Sequence, residues 1–196
     1  CDDGFLTSAE AYTGTGWTPL PPMPHDAFLA TACVLNGRLY VMGGIDCNKL
    51  QVLEMSEENG FSWTVEAELP SELSGPASVV HDGQIWLMGG FREHDAETAM
   101  ETTSVLIYDM NGGWVTGPAL PQGIGVCRAV STDGEIFISG NTWIDLGNGD
   151  GPGDAEYHAF VYRNAEWIEV TGPGPVTVTG ARPVVDCSEI ETLRLG

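Results

Sequence analysis

One nine-residue pattern occurs three times in this 196-residue chain, and the repetition constrains the fold more than any other feature. Each copy starts with an Asn-Gly or Asp-Gly pair and continues into a short apolar run; the first two copies end in two glycines. Such pairs favour type I′ hairpin turns, and short apolar runs rich in β-branched and aromatic residues favour strands. The copies span residues 36–44, 82–90 and 133–141. The sequence therefore predicts a repeat protein built from β-hairpins.

A second marker follows the same period. Four tryptophans are separated by 46, 51 and 53 residues: Trp17, Trp63, Trp114 and Trp167. A tyrosine stands five or six residues before three of them, and Met55 lies roughly where the tyrosine before Trp63 would be. Glycine pair, tyrosine and tryptophan in this order resemble the kelch repeat, over nearly the whole chain. The resemblance implies an all-β fold, a β-propeller of four-stranded antiparallel blades.

The phase of the repeats predicts a tether at residues 1–4 and a single propeller domain at 5–196. Whole blades are expected at about 28–69, 76–118 and 125–171. Residues 5–20 would supply the last two strands of a shared blade and 176–196 its first two. Pairing the N- and C-terminal strands would close a ring of about four blades and remove the exposed sheet edge. Two alternatives stay open: a fragment of a six- or seven-bladed ring, or two chains that complete a larger ring.

The chain is strongly acidic, with a net charge of -21 and Lys49 as its only lysine. Binding of nucleic acid needs a basic surface, so a nucleic-acid partner is excluded. The charge fits solubility in an extracellular or saline medium, or a surface that attracts cations or a basic partner. The sequence contains no run of eighteen apolar residues, so it predicts no membrane-spanning helix.

The cysteines raise two questions. Cys1 precedes an acidic tether, as in mature bacterial lipoproteins; the similarity implies a lipid on Cys1 and a secreted or lipid-anchored, extracytoplasmic location, with membrane contact only through that lipid. A sequence cut at an arbitrary boundary would look the same. Four further cysteines could form two disulfides in three connectivities, although Cys33 fits equally well as a small core residue. They are Cys33, Cys47, Cys127 and Cys187.

The two faces of a propeller differ in their connections. In an antiparallel blade, the connection between the second and third strands shares one face with the connection to the next blade. We call this the loop face and the opposite one the turn face. The loops between second and third strands lengthen from 45–49 through 91–101 to 141–156, which predicts recognition there, or insertions that are merely tolerated. The candidate ligand-binding residues are Asp46, Asn48, Arg92, His94, Arg128, Asn141, Trp143 and Arg182, with Phe28, Phe91 and Trp143 as aromatic anchors.

Two features suggest charged ligands. Arg128 and Arg182 fall in predicted innermost strands, where they could hold a carboxylate or sulfate or pair with the chain's own carboxylates. The stretch 145–154 partly resembles an EF-hand calcium loop, but Leu146 occupies the first ligand position and no helix follows. Its alternative is a solvated acidic turn. Apart from calcium we expect no cofactor; the candidate ligands are Asp145, Asn148, Asp150 and Asp154.

These features favour a non-catalytic extracytoplasmic binding or scaffold module that recognises a protein or carbohydrate through its loop face. One alternative, suggested by the resemblance to kelch epimerases and oxidases, is an enzyme acting on a sugar or sugar acid in the central channel. That enzyme would bring together His25, His94, Arg128 and Arg182 with Asp46 or Asp145. The other alternative is a structural lipoprotein subunit of a larger membrane-associated assembly, which would carry a broad apolar patch.

Overall fold

The structure, a computed structural model, describes residues 6–56, 60–95, 98–143 and 155–170. All regular elements in these ranges are β-strands, which confirms the all-β prediction. None of the described residues belongs to a helix long and apolar enough to cross a membrane.

The strands form three four-stranded antiparallel sheets and two hairpins. The first hairpin pairs β1 (Ala9–Tyr12) with β2 (Trp17–Leu20). Sheet I consists of β3 (Thr31–Leu35), β4 (Arg38–Met42), β5 (Lys49–Ser56) and β6 (Gly60–Glu68). Sheet II consists of β7 (Ala77–His81), β8 (Gln84–Met88), β11 (Val105–Asp109) and β12 (Gly113–Thr116). The second hairpin, of β9 (Phe91–Asp95) and β10 (Thr98–Glu101), is inserted between β8 and β11. Sheet III consists of β13 (Gly125–Thr132), β14 (Glu135–Trp143), β15 (Ala155–Arg163) and β16 (Glu166–Glu169).

Each sheet begins with the predicted hairpin. Both central residues of the turns at 36–37, 82–83 and 133–134 have positive φ, between 49° and 77°. A type I′ turn requires positive φ at both positions, so these turns are confirmed. The loop predicted at 91–101 instead forms the hairpin of β9 and β10.

The glycine pairs end the second strands where another backbone segment passes close by. A Cβ on Gly43 would lie 2.6 Å from the carbonyl oxygen of Leu73, and one on Gly90 would lie 2.7 Å from that of Ser74. Both glycines also have positive φ, of 71° and 90°. Only glycine meets both requirements without strain, which confirms that the pairs serve backbone geometry.

The sheets pack face to face around their first strands, with β7 lying between β3 and β13. Alternate residues of one strand therefore reach opposite neighbours. On β8, Ile85 and Leu87 join the apolar cluster with sheet I, whereas Trp86 and Met88 join the cluster with sheet III. Burial on both faces distinguishes sheet II from a sheet with one solvated face.

The repeated aromatic residues lie at these two interfaces. Between sheets I and II, Tyr40 is fully buried and the rings of Tyr108 and Trp114 are 5.0 Å apart. Between sheets II and III the equivalent residues are Trp86, Tyr162 and Trp167, with ring centroids 5.1 and 5.0 Å apart. At these two interfaces the tryptophan and tyrosine spacing seen in the sequence is thus a packing requirement, whereas Tyr12 and Trp17 are 61% and 68% exposed among the described residues.

The two ends of the array are only partly covered by described residues. A groove of about 320 Å³ separates β1 from sheet I and is lined by apolar residues such as Ala32, Leu39 and Val41. On sheet III, Val130 and Ile168 are 55% and 46% exposed. The described sheets form no closed ring, and the segment predicted to close it, 176–196, lies outside the described residues together with the tether at 1–4.

The prediction of two disulfides is wrong. Cys33, Cys47 and Cys127 are free thiols, and each is buried in a different place. Cys33 packs between sheets I and II and Cys127 between sheets II and III, which confirms Cys33 as a core residue. Burial raises the pKa of both thiols to about 12. Cys1 and Cys187 lie outside the described residues.

Candidate functional site

The connections that enter the first strands of sheets I, II and III are joined in a chain on the loop face. The amide of Gly75 donates to the carbonyl of Leu29 (2.8 Å), and the amide of Cys127 donates to the carbonyl of Gly75 (3.0 Å). Leu29, Gly75 and Val126 occupy equivalent repeat positions and have φ of 59°, 62° and 47°. One backbone geometry is therefore kept at all three positions.

Glycine is the residue suited to this geometry, yet only one of the three positions has it. Positive φ is uncommon for leucine, and for a β-branched valine it is a true outlier. The side chains of Leu29 and Val126 are each 45% exposed, and the neighbouring Phe28 is 47% exposed. We call Phe28, Leu29 and Val126 the apolar rim. The chain thus presents large apolar groups to solvent at positions where their backbone is strained.

A second feature of the loop face is a cavity of about 380 Å³ between the connection at 70–71 and the ends of β11 and β12 in sheet II. Arg92, at the start of β9, lines it and donates from Nη2 to the hydroxyls of Ser71 (3.1 Å) and Ser104 (3.2 Å). The hydroxyl of Thr102 in turn donates to Ser104 (2.8 Å). We call this the Arg92 cavity.

The base of the β9–β10 hairpin is anchored on both sides. Phe91 exchanges two backbone hydrogen bonds with Ser74, of 2.7 and 3.0 Å, and Thr102 pairs with Ile124. The predicted anchor Phe91 lies on Gly125, where a Cβ would be 2.1 Å from its ring. Phe91 therefore fixes the hairpin against sheet III.

The other predicted site residues lie apart. Asp46 and Asn48 flank the buried Cys47, and the carbonyl of Asn48 accepts from the amide of Leu69 (2.7 Å). Asn141 is buried on β14, and Arg128 is exposed on β13, with Nη1 donating to the carbonyl of Cys127 (3.4 Å). Among described residues no hydrogen bond or ion pair joins Arg92, Arg128 and Asn141.

Several candidates lie outside the described part of the chain. This holds for Arg182, for Cys1 and for the calcium candidates Asp145, Asn148, Asp150 and Asp154. It also holds for the side chains of His94 and Trp143. The described residues alone contain no group of three possible metal ligands.

Sequence reasoning missed two histidine clusters. The buried His158 has Nε2 at 3.2 Å from both Thr142 Oγ1 and Gln122 Nε2 and Nδ1 at 3.7 Å from Glu169. His81 has Nδ1 at 3.1 Å from Ser131 Oγ and Nε2 at 3.6 Å from Asp82.

The second cluster has the residue types of a hydrolase triad, but His81 is 6% exposed, packs against Trp86 and lies on the turn face away from both described cavities. Its role is to link β7 to β13. The hydroxyls of the Arg92 cavity were also missed, although the run Thr102-Thr103-Ser104 before β11 is a signal that could have indicated them.

The repeated four-stranded sheets, packed through their first strands and carrying their long connections on one face, are blades of the β-propeller class. Comparison with known proteins agrees with this class: the chain is similar to kelch-repeat proteins, and a solved structure shares its fold.

No protein-family model matches the chain. Among curated proteins, alpha-scruin of Limulus polyphemus is 32% identical over 127 residues, covering 63% of this chain and 14% of that protein. Kelch-like protein terF of Aspergillus terreus is 30% identical over 120 residues, covering 56% of this chain and 26% of that protein. The kelch repeat and BTB domain-containing protein A55 of vaccinia virus is 40% identical over 62 residues, covering 30% of this chain and 10% of that protein.

Among solved structures, that of YjhT superposes with a TM-score of 0.64 at 13% identity, over 84% of this chain and 52% of the YjhT chain. This likeness concerns the fold. The chain spans a quarter or less of the length of alpha-scruin and A55, and about half of YjhT.

Proposed function

We propose that this chain is a non-catalytic scaffold module that binds a protein partner through its loop face. The observation that carries the proposal is the apolar rim. Exposed Leu29 and Val126 keep a backbone conformation that the equivalent Gly75 adopts without strain. Strain persists at positions where the side chain is needed, and a rigid scaffold with exposed apolar groups suits a protein interface. The similarity to kelch-repeat proteins supports a protein partner over a carbohydrate.

The first test is site-specific photo-crosslinking in cells that make the protein. A photoreactive residue at Phe28 reports on the apolar rim, and the same residue at Asn36, exposed on the turn face, is the control. We expect discrete crosslinked proteins from position 28 and none of these from position 36. The same products from both faces would refute a loop-face interface.

A substitution separates binding from folding. Val126→Gly removes an exposed apolar side chain and relieves strain of about 1–2 kcal/mol, partly offset by the entropy of glycine, about 0.5–1 kcal/mol. We expect an unchanged or slightly raised melting temperature together with weaker crosslinking from position 28. Unchanged crosslinking in the double variant Leu29→Gly/Val126→Gly would contradict the role of the rim.

The location remains part of the proposal. The charge of -21 supports an extracytoplasmic module, anchored through a lipid on Cys1. The intact mass of the natively purified protein would show a diacyl or triacyl increment, and an unmodified Cys1 in a cytoplasmic fraction would contradict both points. The sugar-enzyme alternative depends on His94 and Arg182, whose side chains lie outside the described residues, and it stays a prediction.

A further inference from the structure

The Arg92 cavity has an unusual charge for this chain. The described residues that line it include the hydroxyl-bearing Ser71, Thr103, Ser104 and Thr116, and Arg92 is the single charged side chain among them. The whole chain has 28 acidic residues against 7 basic ones. A lining with one cation and no carboxylate therefore departs from the composition of the chain.

Arg92 also differs from most other described basic residues in its partners. Arg38 forms ion pairs with Glu54 and Glu66, Lys49 with Glu68, and Arg163 with Glu135. Arg92 forms no ion pair with a described residue, and its hydrogen bonds go to two serine hydroxyls. Neutral hydroxyls orient a guanidinium without cancelling its charge, so the positive charge of Arg92 stays available to a ligand.

The position of Arg92 is fixed before any ligand arrives. Its strand begins at Phe91, which is hydrogen-bonded to Ser74, and Ser104 is itself held by Thr102. The two serine bonds use two of the five N–H donors of the guanidinium. A donor group that is already oriented loses little entropy on binding, which strengthens its interaction with an anion.

We infer that the Arg92 cavity binds the carboxylate of an aspartate or glutamate side chain of the partner protein. This inference rests on the proposed function and names the chemistry of its ligand. A carboxylate can accept a charge-assisted bond from Nε or Nη1 of Arg92, the donors that the two serines leave free, and the hydroxyls around it can donate further bonds. The cavity, at about 380 Å³, has room for one such side chain. Because the chain carries a net charge of -21, the partner presents this carboxylate within a neutral or basic segment.

The test uses the purified protein and two peptides that differ in charge alone. Acetyl-Gly-Glu-Gly-amide and acetyl-Gly-Gln-Gly-amide are titrated separately into isotope-labelled protein, and amide shifts are followed by NMR. We expect saturable shifts at Arg92 and Ser104, with the glutamate peptide binding about 10- to 100-fold more tightly. Equal binding of the two peptides, or no shifts near the cavity, overturns the inference. Sodium acetate is the third probe. If acetate binds as tightly as the glutamate peptide, the cavity is a site for small carboxylates in general, and the inference is overturned.

Substitutions assign the preference to one side chain. Arg92→Gln should abolish the preference for glutamate, and Arg92→Lys should keep part of it because the charge remains. Arg163→Gln, which removes an arginine paired with Glu135, is the matched control and should leave the preference intact. A preference that survives Arg92→Gln contradicts the inference even where both variants fold normally.

The peptide titration also separates this inference from the proposed function. Position-specific crosslinking at Phe28 tests the loop face as an interface in cells, whereas the peptides test the cavity on the isolated chain. Crosslinking without a glutamate preference would leave the proposed function intact and refute the cavity. A glutamate preference without loop-face crosslinks would refute the protein interface.

Discussion

The interface between sheets I and II and the interface between sheets II and III use the same repeat positions but different polar chemistry. Tyr40 and Trp86 are equivalent, as are Tyr108 and Tyr162. At the first interface Tyr108 donates to Glu66 (2.9 Å), which is ion-paired with Arg38. At the second, the equivalent tyrosine makes ring contacts and the polar link is His81 with Ser131.

The difference shows what a repeat conserves within one chain. Large apolar side chains recur because each blade must fill the same wedge beside its neighbour. Polar groups that meet inside the wedge need only satisfy one another, so an ion pair in one place and a histidine with serine in another both serve. The two interfaces therefore allow a comparison within one molecule, since the side chains at equivalent positions differ while the fold stays constant.

The largest effects are expected from the two buried side chains of β8 that face opposite interfaces. Leu87→Ala opens the first interface and Met88→Ala the second, and each should cost about 2–5 kcal/mol of unfolding free energy. Chemical denaturation measures both. A change below about 0.5 kcal/mol for either variant would mean that its interface does not support the fold.

The glycines that end β4 and β8 come next. Gly43→Ala places a Cβ 2.6 Å from the carbonyl oxygen of Leu73, whereas Gly89→Ala meets the Cys127 sulfur at 2.6 Å and the carbonyl oxygen of Ile124 at 2.9 Å. The sulfur can shift or be removed, and the backbone carbonyl is approached more closely at Gly43, so Gly43→Ala should be the more costly, at about 2–4 kcal/mol. Cys127→Ala should recover part of the loss in Gly89→Ala. Gly83→Ala, with φ of 73° and no atom within 4 Å, is the control and should cost about 1 kcal/mol.

A smaller effect distinguishes the two equivalent tyrosines. Tyr108→Phe removes the hydrogen bond to Glu66 and should cost about 1–2 kcal/mol. Tyr162→Phe, at the matched position, should change stability by no more than about 0.5 kcal/mol. Thermal and urea unfolding measure both variants. Equal losses would show that the hydroxyl bond contributes nothing particular to the first interface.

The smallest expected effect is a difference in stability that appears only at alkaline pH. Burial, with the hydrogen bond and charge of Glu66, raises the pKa of Tyr108 from 10.0 to about 12. The unfolded chain therefore releases this proton first, so stability is complete below about pH 10 and falls as the pH rises towards 12. Tyr108→Phe should flatten the fall between pH 10 and 12, in urea titrations at fixed pH, relative to Tyr162→Phe. Parallel profiles for the two variants would exclude Tyr108 as the source.

Much of the fold could be predicted from the sequence because its signals are local. The Asn-Gly and Asp-Gly pairs specify type I′ turns through the backbone preferences of two adjacent residues. The glycine pairs and tryptophans recur in phase, so the strand order and the three whole sheets could be predicted from them. Boundaries were less accurate: β3 begins at Thr31 rather than near 28, because Leu29 has positive φ and is not extended.

The site was predicted only in part. Arg92 was singled out from a long loop and Phe28 as an aromatic anchor, but Leu29 and Val126 were not, since an apolar residue at or just before the start of a strand carries no sign of a strained backbone. The hydroxyls around Arg92 come from segments at 70–71, 102–104 and 116, which are distant in sequence. The expected disulfides failed because a count of cysteines contains no information about which sulfurs are neighbours.

The sequence by itself determined the repeat and its turns, because those properties depend on residues a few positions apart. The tertiary structure decided which polar groups meet at each interface, which thiols are buried apart, and where Arg92 finds hydroxyls instead of carboxylates. The physical reason is distance along the chain: these contacts join residues 12 to 50 positions apart, so they form only when packed sheets bring those residues together.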